Sequence, residues 1–138
     1  KKEIEEKIEE FLPQVGKIRI AYISAQKNQG IDKLMQLSER LDKICDRRLT
    51  TSELNEFLKQ ISNKHPHPNK NGRPVKIKYI TQPKVRPSHF IIFSNYPNYI
   101  KESYKRYLIN EIRKEFDFDG VPIRMDFRGS DNPYDSKK

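Results

Sequence analysis

Three histidines, one cysteine and a cluster of basic residues are the side chains here whose types and spacing bear on chemistry. His65-Pro66-His67-Pro68 sets two imidazoles two residues apart, as metal ligands are set, but spacing supplies no third ligand and the prolines stiffen a loop. A solvated loop without a metal is the expectation. Cys45 is the only cysteine and has no internal disulfide partner. At the end of an amphipathic helix and next to Asp46, it reads as a buried structural thiol. Neither a G-x-S-x-G elbow nor a G-x-x-x-x-G-K-[ST] phosphate loop occurs in the sequence, so no catalytic constellation is complete. Asp117-Phe118-Asp119-Gly120 has the D-x-x-G form of nucleotide switch segments, yet it lies between a helix and a strand, where turn chemistry explains it.

The basic residues say more. Between His65 and His89 stand Lys70, Arg73, Lys76, Lys78, Lys84 and Arg86, with no Asp or Glu, so six of the nine net positive charges fall in this stretch. Lys76 and Lys78 are expected on one face of a strand, with Arg73, Lys84 and Arg86 on the connectors at its ends. Arg73, Lys76, Lys78, Lys84 and Arg86 are therefore candidates for neutralising the phosphates of a nucleic acid. The competing reading is an edge strand guarded by lysines against aggregation. Tyr79, Tyr96 and Tyr99 lie near the patch and suit base stacking, although core packing and turn roles are the plainer expectation.

Apolar periodicity supplies the elements that position these residues. Ile4, Ile8, Phe11 and Leu12 mark a short amphipathic helix ended by Pro13, and Ile18 to Ile23 reads as a strand. A polar loop from Ser24 to Gly30 leads into a helix carrying Ile31, Leu34, Leu41 and Ile44. Thr50-Thr51-Ser52-Glu53 has the form of a capping box, ahead of a helix that buries Leu54, Phe57, Leu58 and Ile61. Strands are expected at Val75 to Thr81 and His89 to Asn95, separated by a Gln-Pro and Arg-Pro connector. A helix follows from Tyr99 to Phe116. In the last strand Ile123, Met125 and Phe127 alternate inward against Arg124, Asp126 and Arg128. The fold class is α+β: an α-β-β-α-β unit whose three-stranded sheet is covered by helices on one face, preceded by an α-β-α piece of another unit. Residues 130–138 lack apolar periodicity and are expected to be a disordered tail.

The chain's 138 residues fit one domain or a small domain with part of another, and by themselves are not expected to form a large multidomain enzyme. A net charge of +9 favours a polyanionic partner over simple solubility. Without a secretory h-region or an 18-residue apolar run, a reducing cytoplasm and no membrane partner are expected. Residue 1 is Lys, so the chain is expected to begin inside a longer protein or after processing.

The order of certain segments resembles a known family. Ile23-Ser24-Ala25, after a strand and before a helix, is similar to the last guanine-recognition motif of P-loop GTPases. Arg47-Arg48-Leu49-Thr50-Thr51, Leu54-Asn55, Lys76-Ile77-Lys78-Tyr79, Thr81-Gln82, Phe90 to Asn95, Tyr104 to Leu108, Phe116 to Gly120 and Phe127-Arg128 follow in the order of the C-terminal region of the Der (EngA) family of tandem-G-domain bacterial ribosome-assembly GTPases. The resemblance covers essentially the whole chain. It implies that residues 1–45 end the second G domain and that 46–129 form the KH-like domain. It also implies GTP and Mg in the parent protein, late assembly of the large ribosomal subunit, rRNA contact and docking on the parent's G domains. Ser24 and Ala25 carry over as a remnant of the guanine site. Without a phosphate loop this chain is expected to hydrolyse no GTP alone and to hold no cofactor.

One departure matters for RNA. A KH domain ordinarily grips the nucleic-acid backbone with a G-x-x-G loop, and the five glycines, at 16, 30, 72, 120 and 129, include no pair three apart. RNA contact would then run through phosphates and shape. The alternative is a KH-like domain serving chiefly as a protein-protein module between domains.

Overall fold

A computed structural model describes residues 2–12 and 18–130. Its elements are α1 (Lys2–Phe11), α2 (Ile31–Cys45), α3 (Thr51–Lys64), β1 (Ile77–Val85), β2 (Ser88–Ser94), a short 3-10 helix (Pro97–Tyr99), α4 (Glu102–Phe116) and β3 (Ile123–Gly129). The sheet order is β1-β2-β3, with β1 antiparallel and β3 parallel to the central strand β2. The α+β class and the helix–strand order from α3 onward agree with the expectation. Residues 131–138, most of the expected tail, lie outside the described residues.

The start of α3 shows how locally the chain specifies itself. The Thr50 hydroxyl accepts from the Glu53 amide at 3.2 Å, and the Glu53 carboxylate accepts from the Thr50 amide at 2.8 Å. Both orphan donors of the first turn are satisfied. The Thr50 hydroxyl bond, followed by the amide bond, holds the Glu53 carboxyl below the usual range.

One continuous core joins Leu54, Phe57, Leu58 and Ile61 of α3 to Ile80, Phe90, Ile92 and Met125 of the sheet and to Tyr104, Leu108 and Ile112 of α4. Burying each large apolar side chain stabilises the fold by about 1.5–3 kcal/mol. Ile44, in the last turn of α2, is 2% exposed in this same core. The end of the first unit is thus packed into the second.

Two bulges shape β1. Ile77 pairs with Ser94 and Tyr79 with Phe93, leaving Lys78 as the extra residue. Thr81 pairs with Ile91 and Lys84 with His89, so Gln82 and Pro83 together face Phe90. The strand therefore runs on through the expected Gln-Pro connector, because an edge strand at a bulge tolerates a residue without an amide hydrogen. Only Arg86-Pro87 remains as the turn.

The expected strand at Ile18 to Ile23 does not form: those residues take no part in a sheet, and Tyr22 and Ile23 are exposed. A strand needs a neighbour for its backbone groups, and the sheet of the described residues lies entirely in the second unit. In α1, Ile4 and Phe11 are half to three-quarters exposed. The helix between Tyr99 and Phe116 begins later than its apolar period suggests, since Pro97–Tyr99 closes first into the 3-10 helix.

Candidate nucleic-acid interface

Asn71-Gly72 builds the centre of the site. Both residues are left-handed, with φ of 48° and 75°, and the amides and carbonyls of Lys70 and Arg73 exchange hydrogen bonds at 2.9 and 2.8 Å. This is a type I′ turn, and only the absence of a Cβ at Gly72 makes its second left-handed position easy. A hydrogen-bonded antiparallel pair holds its α-carbons about 5.5 Å apart with both side chains on one side. Lys70 and Arg73 are therefore fixed as neighbouring cations.

Opposite them stand Tyr96 and Tyr99, ring centroids 5.9 Å apart. The Lys70 ammonium lies on the Tyr99 ring face, 2.8 Å from the centroid. Asn95 locks turn and tyrosines together: its Oδ1 accepts from the Lys76 amide at 2.8 Å and its Nδ2 donates to the Pro74 carbonyl at 3.0 Å. Lys70, Asn71, Arg73, Tyr96 and Tyr99 line a pocket of about 300 Å³, with no carboxylate in its lining among the described residues.

Lys78 continues the basic surface. At its bulge it lines a second groove of about 270 Å³ with Leu58, Lys59, Ser62, Asn63 and Ile77. Lys76 is exposed just ahead of β1. The strict alternation that would set Lys76 and Lys78 on one strand face is broken by the bulge at Lys78.

Lys84 and Arg86 do not join this corner. At about 3.3 Å per residue, Lys84 is roughly 26 Å along the strand from Lys76. Arg86 is already engaged: its Nη2 donates to Asp42 Oδ1 and Asp46 Oδ2, each at 2.7 Å, and its Nε also donates to Asp46. The Arg86 guanidinium holds the Asp46 carboxyl below the usual range, while Asp46 and then Asp42 raise the pKa of Arg86. Arg86 links the hairpin to α2, its guanidinium already paired with two carboxylates. The six basic residues thus divide into a corner of four and a distant pair.

Other sequence candidates resolve into structural roles. The Lys101 amide donates to His67 Nε2 at 3.4 Å, so Nδ1 carries the proton given to the Pro68 carbonyl at 2.7 Å. Both nitrogens are engaged, and among the described residues no group of three or more His, Cys, Asp or Glu side chains is placed to hold a metal ion. His89 contacts Asp126 at 2.7 Å; burial pushes that carboxyl up, but the His89 bond and Arg124 outweigh it, and the net shift is downward. Cys45 is half-buried rather than buried, lining a 240 Å³ pocket with Val85, Pro87, Val121 and Pro122. In the D-x-x-G segment, Asp117 and Gly120 are left-handed, and buried Arg113 donates to the Phe118 and Val121 carbonyls at 2.9 and 2.7 Å. That segment is a turn.

Ser24 and Ala25 open a closed loop. The amides and carbonyls of Ser24 and Gln29 exchange bonds at 3.0 Å, and Gly30 packs so closely that a Cβ would lie 2.5 Å from the Tyr22 carbonyl oxygen. Ala25, the first residue inside this loop, is exposed. Sequence reasoning named Tyr96 and Tyr99 as suited to stacking but preferred core and turn roles, and did not place them in one pocket with Lys70 and Arg73. The Asn-Gly pair was the signal for it, since a type I′ turn there puts Lys70 opposite Arg73.

Residues 48–128 match the family described as KH-domain-like of EngA bacterial GTPase enzymes, C-terminal. Over 135 residues the chain is 47% identical to GTPase Der of Agrobacterium fabrum and 46% identical to GTPase Der of Rhizobium meliloti, each alignment covering 98% of this chain. It is 43% identical over 132 residues to GTPase Der of Bartonella tribocorum, with 96% of this chain covered. The chain spans 28% of the length of these three relatives.

Proposed function

The chain belongs to the family of KH-like C-terminal domains of EngA bacterial GTPases, and from that premise we propose that it is the C-terminal region of a cytoplasmic GTPase of large-subunit ribosome assembly, whose KH-like domain binds ribosomal RNA and docks on the G domains of its own chain. Residues 1–45 end the second G domain and 46–129 form the KH-like domain. GTP and Mg act in the parent's G domains, where Ser24 and Ala25 line the guanine site. Hydrolysis needs the phosphate loop, which this sequence lacks.

The observation that carries the RNA reading is the basic run Lys70, Arg73, Lys76 and Lys78: the first two line the pocket of Tyr96 and exposed Tyr99, with no carboxylate among its described lining residues, and Lys76 and Lys78 follow exposed at the start of β1. Like charges set opposite one another in a turn are destabilising until an anion lies between them. A polyphosphate backbone supplies such anions, releasing counterions as it binds. No helix of the described residues is long and apolar enough to cross a membrane.

A second surface favours the docking role. On the sheet face away from α3 and α4, Tyr79 stacks on Phe93 at 4.3 Å, and Tyr79 is 40% exposed. The two roles therefore use different faces. The deciding experiment compares the full-length parent with its Lys76→Glu/Lys78→Glu variant. Loss of binding to purified large subunits supports RNA contact. Retained binding with altered GTP turnover assigns the basic corner to interdomain docking instead.

A further inference from the structure

Resting on that RNA reading, we infer that the pocket of Lys70, Asn71, Arg73, Tyr96 and Tyr99 takes one unstacked nucleobase of a single-stranded RNA segment, with the flanking phosphates on Lys70 and Arg73. The geometry has three parts. Tyr99, at the end of the 3-10 helix, is 43% exposed, so its ring offers an accessible face. Its present occupant is the Lys70 ammonium. A base can replace that cation on the ring, one π contact for another, while the ammonium swings a short way to a phosphate. The 300 Å³ pocket lies at the lower end of the range for small-ligand sites, room for a base but not for a duplex.

The turn and the clamp explain why the ligand is single-stranded. Asn71-Gly72 fixes Lys70 and Arg73 side by side, and Asn95 ties that turn to the tyrosines. A paired base is stacked on both faces and cannot enter a pocket walled by two tyrosines. An unpaired base can, and its phosphates then reach the cations on the rim. The chain thereby gains a single-strand contact without a G-x-x-G loop.

The test uses the 138-residue chain and a fluorescently labelled single-stranded RNA of about 10 nucleotides, alone and annealed to its complement. Tyr99→Ala is expected to weaken single-strand binding about 5- to 100-fold and to leave duplex binding unchanged. Tyr99→Trp keeps the stacking surface and should retain single-strand affinity. Lys70→Gln and Arg73→Gln should each lower the salt slope for the single strand by about 0.7. Because Tyr99 is exposed, its variants should melt with the wild type, which separates lost stacking from lost folding. Single-strand affinity unchanged in Tyr99→Ala and Tyr96→Ala, with RNA still bound, overturns the pocket while the RNA reading stands. Failure of the wild-type chain to bind either RNA overturns both.

Discussion

Asn55 meets the backbone of Ile80 on both of its polar groups: Oδ1 accepts from the Ile80 amide at 3.0 Å and Nδ2 donates to the Ile80 carbonyl at 3.3 Å. One carboxamide on α3 thus stands where a fourth strand would pair with β1. Since Ile80 is fully buried, Asn55→Leu leaves both groups without a partner. A loss of about 1–3 kcal/mol in urea unfolding is expected.

The ion pair between α2 and the hairpin makes part of the stability depend on acid. The Arg86 bond lowers the Asp46 pKa on folding. A lowered carboxyl contributes stability that is fully present above the unfolded value of about 3.9 and is lost as pH falls through the folded value. The difference in melting temperature between wild type and Asp46→Asn is therefore constant from neutral pH down to that value and shrinks below it. A difference that stays constant into strong acid would contradict this assignment.

Gln82 ties β1 to the backbone of the segment between α2 and α3. Its Oε1 accepts from the Leu49 amide at 2.8 Å and its Nε2 donates to the Arg47 carbonyl at 3.1 Å, while the residue is 6% exposed. Gln82→Leu is expected to cost about 1–3 kcal/mol in denaturant unfolding. Hydrogen exchange at the Leu49 amide should quicken with it.

The residues that read most clearly in the sequence are those whose partners lie close along the chain. Thr50 and Glu53 form the expected capping box, and Met125 lies buried between exposed Arg124 and half-exposed Asp126 as alternation requires. What the sequence hid depends on distant partners. Pro83 looked like a connector because its place on an edge bulge is visible only once Phe90 faces it. Ile18 to Ile23 has a strand's composition but takes no part in the sheet. Arg86 read as a phosphate ligand until Asp42 and Asp46, forty residues and more away, came to its guanidinium. Tyr99 read as a turn residue because nothing local shows that Lys70 lies on its ring.

The division of the basic stretch is itself testable. Lys84→Glu, at the far end of β1, should change the affinity for large-subunit rRNA much less than Lys78→Glu, although both remove the same charge. Equal losses would mean that overall charge, not the corner, governs binding.

The most direct test is the salt dependence of that binding, measured by titrating the chain onto a large-subunit rRNA transcript across a salt series. For the wild type, log K should fall linearly with log salt, and Lys76→Glu/Lys78→Glu should reduce the slope by about 1.8 if each lysine neutralises one duplex phosphate. Arg86→Gln, whose guanidinium is held by Asp42 and Asp46, should leave the slope unchanged. A slope unaltered in the double lysine variant would contradict the assignment of this corner to RNA.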